Sequence, residues 1–149
     1  MKKHSIILGI AQAERGALLD SVQAEKKPSL TPDIRHKILT RDDQTCQLCG
    51  FISKKYQDVH FLDGDPDNIQ MDNMVTACIY CHQCFDLEKV AQMRSGVLVW
   101  LPEIEQADLH HMARAIYVAR ISQGAMADTA KKALEVLMGR REEATARLQ

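Results

Sequence analysis

The segments TCQLCG (residues 45–50) and ACIYCHQC (residues 77–84) decide the fold of this chain. Each segment carries a Cys-x-x-C pair, and residues 50–77 separate the inner cysteines, Cys49 and Cys78. A Cys-x-x-C pair can form a tight turn that directs two thiolates at one ion, and two pairs complete the tetrahedron that Zn²⁺ prefers. The sequence therefore predicts one structural zinc ion per chain. The predicted ligands are Cys46, Cys49, Cys78 and Cys81.

A fifth cysteine leaves an alternative for this site. Cys81 and Cys84 form a further Cys-x-x-C pair, and on a helix they would lie on one side. Cys84 is therefore either a replacement for one of the four ligands or a small buried residue of the helix.

Length, composition and charge favour an ordinary intracellular domain. The chain has 149 residues, of which 46% are hydrophobic and 26% charged, so we expect a single domain over residues 1–149. Its net charge of −1 argues against a dedicated duplex-binding protein, and a zinc module that binds nucleic acid is the weakest hypothesis. The short apolar run at residues 5–11 is followed by Glu14 and Arg15, which does not fit a signal peptide. An odd number of cysteines fits a reducing compartment, and we expect a cytoplasmic protein without membrane insertion.

The secondary structure indicated by the sequence mixes strands and helices, which is the α+β class. A strand is expected over residues 4–12 and a helix over 13–25. A second helix begins after the N-cap residue Thr31. A strand is predicted over 56–62, a helix from Asn73 that carries the second cysteine pair, and a strand over 97–101. The domain core would span residues 31–122, and the last helix residues 126–148.

Three segments resemble the zinc-stapled HNH (His-Me finger) nuclease fold: RHKILTRDDQTCQLCG (residues 35–50), VHFLDGD (59–65) and MDNMVTACIYCH (71–82). The resemblance implies a zinc-stapled β-hairpin and helix, flanked by further α-helices. It also implies a separate catalytic metal ion. Matched to the family motif, the degenerate HNH positions are His60, Asn73 and His82.

One residue departs from the nuclease pattern. The family's general base should follow His60, and here that position is Phe61, whose ring cannot accept a proton from water. We therefore expect no enzymatic activity, and interpret His60 and His82 as remnants or as exposed polar residues. The alternative is a divergent metal-dependent HNH endonuclease in which His60 and His82 bind a second metal ion.

A narrower resemblance is carried by YQDVHFLDGD (residues 56–65), NMVTACIYCHQCFDLE (73–88) and VLVWLPEIEQADL (97–109). These segments resemble the IcmJ/DotN family of Dot/Icm-type (type IVB) secretion systems. The resemblance implies a non-catalytic, zinc-containing adaptor subunit of a coupling complex. Its partners would be the C-terminal tail of the coupling ATPase (DotL-type), which recruits effector proteins, and other subunits of the complex. The protein would then lie in the cytoplasm, at the inner-membrane secretion machinery.

Three alternating aspartates and four aromatic residues are further candidates for binding sites. Asp63, Asp65 and Asp67 alternate like the start of a calcium-binding loop, but the positions that need glycine and glutamate hold other residues, so we expect a solvated turn. Four aromatic residues are candidate anchors for a partner, although core packing is the simpler interpretation of each. These residues are Phe51, Phe61, Phe85 and Trp100.

Overall fold

The computed structural model describes residues 4–6 and 30–148. The strand predicted over 4–12 and the helix predicted over 13–25 fall mostly outside these ranges. The chain forms two compact units, Met1–Lys89 and Val90–Gln149. The boundary lies within residues 31–122, the core predicted for a single domain, and the single-domain arrangement stays a prediction.

The described residues form six helices and one antiparallel pair of strands, which confirms the α+β class. No described helix is long and apolar enough to cross a bilayer. In chain order the elements are α1 (Pro32–Arg41), β1 (Gln57–Phe61), β2 (Met74–Cys78), α2 (Ile79–Gln83), α3 (Leu87–Met93), α4 (Gln106–Ile121), α5 (Ala127–Gly139) and α6 (Arg141–Arg147).

Helix α1 begins as its sequence predicts. The hydroxyl oxygen of Thr31 accepts a hydrogen bond from the Ile34 amide at 3.4 Å, and proline occupies the first helical position. The helix buries Ile38, which packs with Val59 of β1 and Met74 of β2 in the core of the first unit. Burial of these three side chains is one of the contacts that join α1 to the hairpin.

Strand β2 corrects the prediction that a helix begins at Asn73. Residues Met74–Cys78 pair with β1 in antiparallel register, from Phe61 opposite Met74 to Gln57 opposite Cys78. All five residues of β2 are buried. A short, mostly apolar run does not distinguish a buried strand from a buried helix, and here pairing with β1 makes it a strand. The helix starts only at Ile79.

Arg41 and Asp42, at the end of α1, join that helix to the hairpin through charged hydrogen bonds. The Arg41 guanidinium donates to the carbonyls of Met71 at 2.6 Å and Met74 at 2.7 Å. It also donates to both carboxylate oxygens of Asp42, at 2.7 and 3.0 Å. Asp42 in turn accepts the Thr76 amide of β2 at 2.8 Å. Two consecutive residues therefore satisfy backbone groups on both β2 and the loop before it.

The second unit differs from the sequence prediction at two places. Residues 97–101 are not a strand: the Trp100 amide donates to the carbonyl of Arg140 at 3.1 Å, so this stretch finds its backbone partner at a helix end. The single helix predicted over 126–148 is two helices, with the break at Arg140. Gly139, a weak helix former, precedes the break, and the Arg140 side chain pairs with Glu103.

Candidate metal centre

The first cysteine pair lies in a tight turn after α1. The Cys46 amide donates to the Phe51 carbonyl at 2.9 Å, and the Gly50 amide donates to the Cys46 carbonyl at 2.8 Å. Gly50 has φ of +79°, the left-handed conformation that favours glycine, as the sequence predicts for this turn. These backbone bonds fix Cys46 and Cys49 on one closed turn.

The second cysteine pair lies where the hairpin passes into a helix. Cys78 is the last residue of β2 and the N-cap of α2, and Cys81 lies within α2. A hydrogen bond of 2.8 Å from the Gln47 amide to the Thr76 carbonyl ties the first turn to β2. Strand pairing and this bond bring together two cysteine pairs that are far apart in the sequence.

The four predicted thiols form one buried group. Their sulfur atoms all lie within 4.8 Å of one another, and the Cys49 and Cys78 sulfurs are 3.8 Å apart. Each of the four residues is buried. Within residues 4–6 and 30–148, this is the one cluster of three or more cysteine, histidine or acidic side chains close enough to hold a metal ion. The four cysteines could therefore hold one metal ion.

The close spacing of the four buried thiols favours the binding of a cation among them. Hydrogen bonds with Cys46 and Cys49, together with burial, raise the pKa of Cys78, and hydrogen bonds with the neighbouring thiols, together with burial, raise that of Cys81. Cys49 acts to raise the pKa of Cys46, but Cys78 and Cys81 outweigh it and lower that pKa to about 6. Four sulfurs this close cannot all ionise unaided, because like charges repel in a buried site. A divalent cation would supply the compensating charge and hold all four as thiolates.

Cys84 lies outside the group of four. It is the C-cap of α2, and its thiol donates to the Tyr80 carbonyl at 3.4 Å. Burial raises the pKa of this thiol to about 11. The structure thus favours the interpretation of Cys84 as a small buried residue of the helix end.

The histidines at the HNH positions are brought together. The rings of His60 on β1 and His82 on α2 lie 5.5 Å apart, edge to face, and His60 stacks on Phe85 at 4.2 Å. His60 is only 8% exposed and His82 is half-buried, so the interpretation of them as exposed polar residues is wrong. Burial, with a contribution from His82, lowers the pKa of His60 to about 4, and burial also lowers that of His82. Both rings are therefore neutral at neutral pH.

Asn73 and Phe61 have structural surroundings of their own. The Asn73 amide group donates to Asp63 Oδ1 and to the Asn68 carbonyl, both at 2.9 Å, and its oxygen accepts the Asp63 amide at 3.1 Å. These bonds close the loop between the strands. Phe61 packs against the core cluster of the first unit. Neither side chain offers a base to a reacting water.

Replacing Asn73 with alanine should lower the free energy of unfolding by about 1–3 kcal/mol, because it removes three hydrogen bonds of a buried side chain. Denaturant unfolding measures the change, and metal content should not alter. Asn68→Ala is the matched control: loss of its exposed bonds to Asp63 and to the Gln70 amide should cost well under about 1 kcal/mol. Equal stability of Asn73→Ala and the unmodified protein would contradict the assigned role.

Sequence reasoning missed one residue that shapes the metal centre. Gln57 is buried at the start of β1, and its amide group donates to the carbonyls of Phe51 at 2.8 Å and Gln44 at 3.0 Å. These bonds fasten the two sides of the first cysteine turn to the hairpin. A glutamine at the start of a strand is ordinarily exposed, so nothing in the sequence signals this arrangement.

Comparison with known proteins supports the narrower of the two resemblances. No protein-family model matches the chain. The type 4 apparatus protein DotN of Legionella pneumophila is 45% identical over 85 residues, which cover 56% of this chain. The match spans only 40% of the length of DotN. The HNH fold itself stays a prediction. Over more than half of its length, this chain is similar to DotN of Legionella pneumophila, which confirms the resemblance to the IcmJ/DotN family.

Proposed function

We propose that this protein is a non-catalytic, zinc-containing adaptor subunit of a type IVB secretion coupling complex. It binds the C-terminal tail of the coupling ATPase and so contributes to effector recruitment. The observation that carries this proposal is the 45% identity to DotN over 85 residues. The protein acts in the cytoplasm and reaches the inner-membrane machinery through its partners.

Zinc is the ion that best suits the four cysteines. Thiolates are soft ligands, and a site made of four of them is typical of structural Zn²⁺ in proteins. Four protein ligands leave no open position for water or substrate, so this ion would stabilise the fold and activate nothing. In this proposal the zinc joins the first cysteine turn to β2 and α2, and adds to the hydrogen bond between the Gln47 amide and the Thr76 carbonyl.

A rigid unit of this kind suits an adaptor. The metal centre and the core around Ile38 fix the hairpin, and therefore fix the surface that the hairpin presents. A long tail without structure of its own can wrap such a surface and fold as it binds.

Co-purification tests the proposal directly. The full chain, loaded with zinc, is mixed with the C-terminal tail of the coupling ATPase from the same organism, and complex formation is followed by size-exclusion chromatography and calorimetry. We expect a stable complex, and no complex with a tail of the same composition in scrambled order. If the zinc-loaded protein does not bind the native tail, the proposal is wrong.

The second candidate function is a divergent metal-dependent endonuclease, which the proximity of His60 and His82 favours. Incubation of the purified protein with plasmid DNA and Mg²⁺, Mn²⁺ or Ni²⁺ distinguishes the two functions. We expect no cleavage, because Phe61 stands where the family has its general base. Cleavage that is lost in His82→Ala would establish the nuclease instead.

A further inference from the structure

Five exposed residues lie just before β1 or just after β2, and we call them the knuckle patch: Ile52, Lys54, Lys55, Tyr56 and Ile79. Its apolar members are exposed, by 69% for Ile52, 66% for Tyr56 and 42% for Ile79. The Ile79 amide donates to the Tyr56 carbonyl at 3.2 Å, which holds these two residues side by side. Ile79 directly follows Cys78, so a metal ion held by the cysteines would fix the position of Ile79 and of its backbone partner Tyr56.

Tyr56 has a left-handed backbone conformation that is unfavourable for a bulky side chain. Its φ is +61°, in the left-handed region that costs a bulky side chain about 1 kcal/mol or more. Its side chain lies mostly in solvent, so little burial offsets that cost. Asparagine or glycine would adopt this conformation more easily. An exposed aromatic residue held at such a position is a candidate contact for a partner.

The charge of the knuckle patch indicates what kind of partner it fits. Neither Lys54 nor Lys55 takes part in an ion pair within the described ranges, 4–6 and 30–148, and both are exposed. The acidic residue nearest to them in sequence, Asp58, is paired with Arg35 at 3.3 Å. Two positive charges without an ion pair among the described residues therefore directly precede Tyr56, and a negatively charged partner would complement them.

The other end of the hairpin has the opposite charge. The loop between β1 and β2 contains four aspartates and no basic residue. An acidic partner would be repelled from this loop and attracted to the knuckle patch, so the charge distribution selects one end of the hairpin. The aspartates are Asp63, Asp65, Asp67 and Asp72.

We propose that the knuckle patch binds an acidic segment of a partner protein that also carries apolar side chains. The apolar side chains contact Tyr56, Ile52 and Ile79, and the acidic ones pair with Lys54 and Lys55. This inference rests on the proposed function, since we place the segment within the tail of the coupling ATPase. The proposed function leaves open which surface of this chain the tail contacts, and we assign the knuckle patch as that surface.

The test measures binding of that tail to the full, zinc-loaded chain by calorimetry. The double variant Lys54→Glu/Lys55→Glu should weaken binding by about 10-fold or more, because it replaces attraction with repulsion. Lys131→Glu/Lys132→Glu is the matched control: these two lysines are also adjacent and exposed, but lie on α5 in the second unit. The control should change the affinity by less than about 2-fold.

A second variant separates binding from stability. Tyr56→Asn removes the aromatic ring but suits the left-handed backbone, so the melting temperature should stay the same or rise while affinity for the tail falls about 10-fold. A purely structural role for Tyr56 would instead lower stability and leave affinity unchanged. Zinc content, measured in parallel, should be the same in every variant.

The outcomes separate the inference from the proposed function. If the unmodified chain does not bind the tail, the proposed function fails and the inference with it. If it binds, and the knuckle-patch variants bind equally well, the inference alone is overturned. If the unmodified chain forms oligomers that Lys54→Glu/Lys55→Glu dissociates, the patch binds the acidic loop of a second copy, which also overturns the inference.

Discussion

Replacing Cys46 with serine should abolish stoichiometric zinc binding and unfold most of the unit Met1–Lys89. A structural zinc ion in a zinc-finger peptide contributes about 10–16 kcal/mol of apparent binding free energy at neutral pH, whereas a whole domain is stable by about 5–15 kcal/mol. Cys46 is fully buried and its sulfur lies within 4.8 Å of the three others. Its loss leaves an incomplete ligand set among buried thiols, so a few kcal/mol of residual core packing cannot hold the unit together.

Elemental analysis and circular dichroism check this result. The unmodified protein should contain one zinc per chain and Cys46→Ser close to none, with loss of ordered structure in the variant. Cys84→Ser is the matched control, because it makes the same chemical change on a buried cysteine that lies outside the group of four. It should retain its zinc. Loss of zinc in Cys84→Ser together with full retention in Cys46→Ser would assign Cys84 as a ligand and refute the predicted set.

The four metal ligands could be predicted because each cysteine pair is recognised from a few neighbouring residues. Each Cys-x-x-C pair defines a turn by itself, and Gly50 marks the residue of the first turn that needs a positive φ. The distance between the two turns is what the sequence does not give, and in the structure their four sulfur atoms lie within 4.8 Å of one another. The same holds for Thr31, since an N-cap is decided by three or four neighbouring residues.

The features that sequence reasoning missed depend on distant partners. Met74–Cys78 is buried throughout and mostly apolar, with Thr76 as its polar member, and only its pairing with β1 makes it a strand rather than the start of a helix. His60 is, from the sequence, a remnant or an exposed polar residue, yet the structure places its ring against those of His82 and Phe85. Residues 97–101 have strand composition, but the described residues give that segment no strand to pair with. In each case the partner is a residue that no local pattern identifies.

Arg41 is the second residue whose replacement should have a large effect. Arg41→Ala should lower the free energy of unfolding by about 2–4 kcal/mol, because it removes the partner of a buried carboxylate and of two backbone carbonyls. Asp42, whose side chain is only 7% exposed, would remain as an ion without its cation. Arg41→Lys keeps the positive charge but lacks the planar fork of donors, so it should recover only part of the loss. Full recovery by lysine would show that charge alone, and not the set of hydrogen bonds, matters.

The pH dependence of the Arg41→Ala effect identifies Asp42 as its source. Burial acts to raise the pKa of Asp42, but hydrogen bonds from Arg41 and Thr76 outweigh it and hold that pKa below its usual value. The Asp42 carboxylate therefore takes up a proton more readily in the unfolded chain than in the folded one. Its contribution to the free energy of unfolding is complete above the pKa that Asp42 has in the unfolded chain. That contribution is lost as the pH falls through the lower pKa that Asp42 has in the folded protein. Removing Arg41 raises the folded pKa. The difference in unfolding free energy between the two proteins should be constant from pH 7 down to about pH 5 and shrink below it. A difference that grows on acidification, with zinc still bound, would show that Arg41 acts through another group.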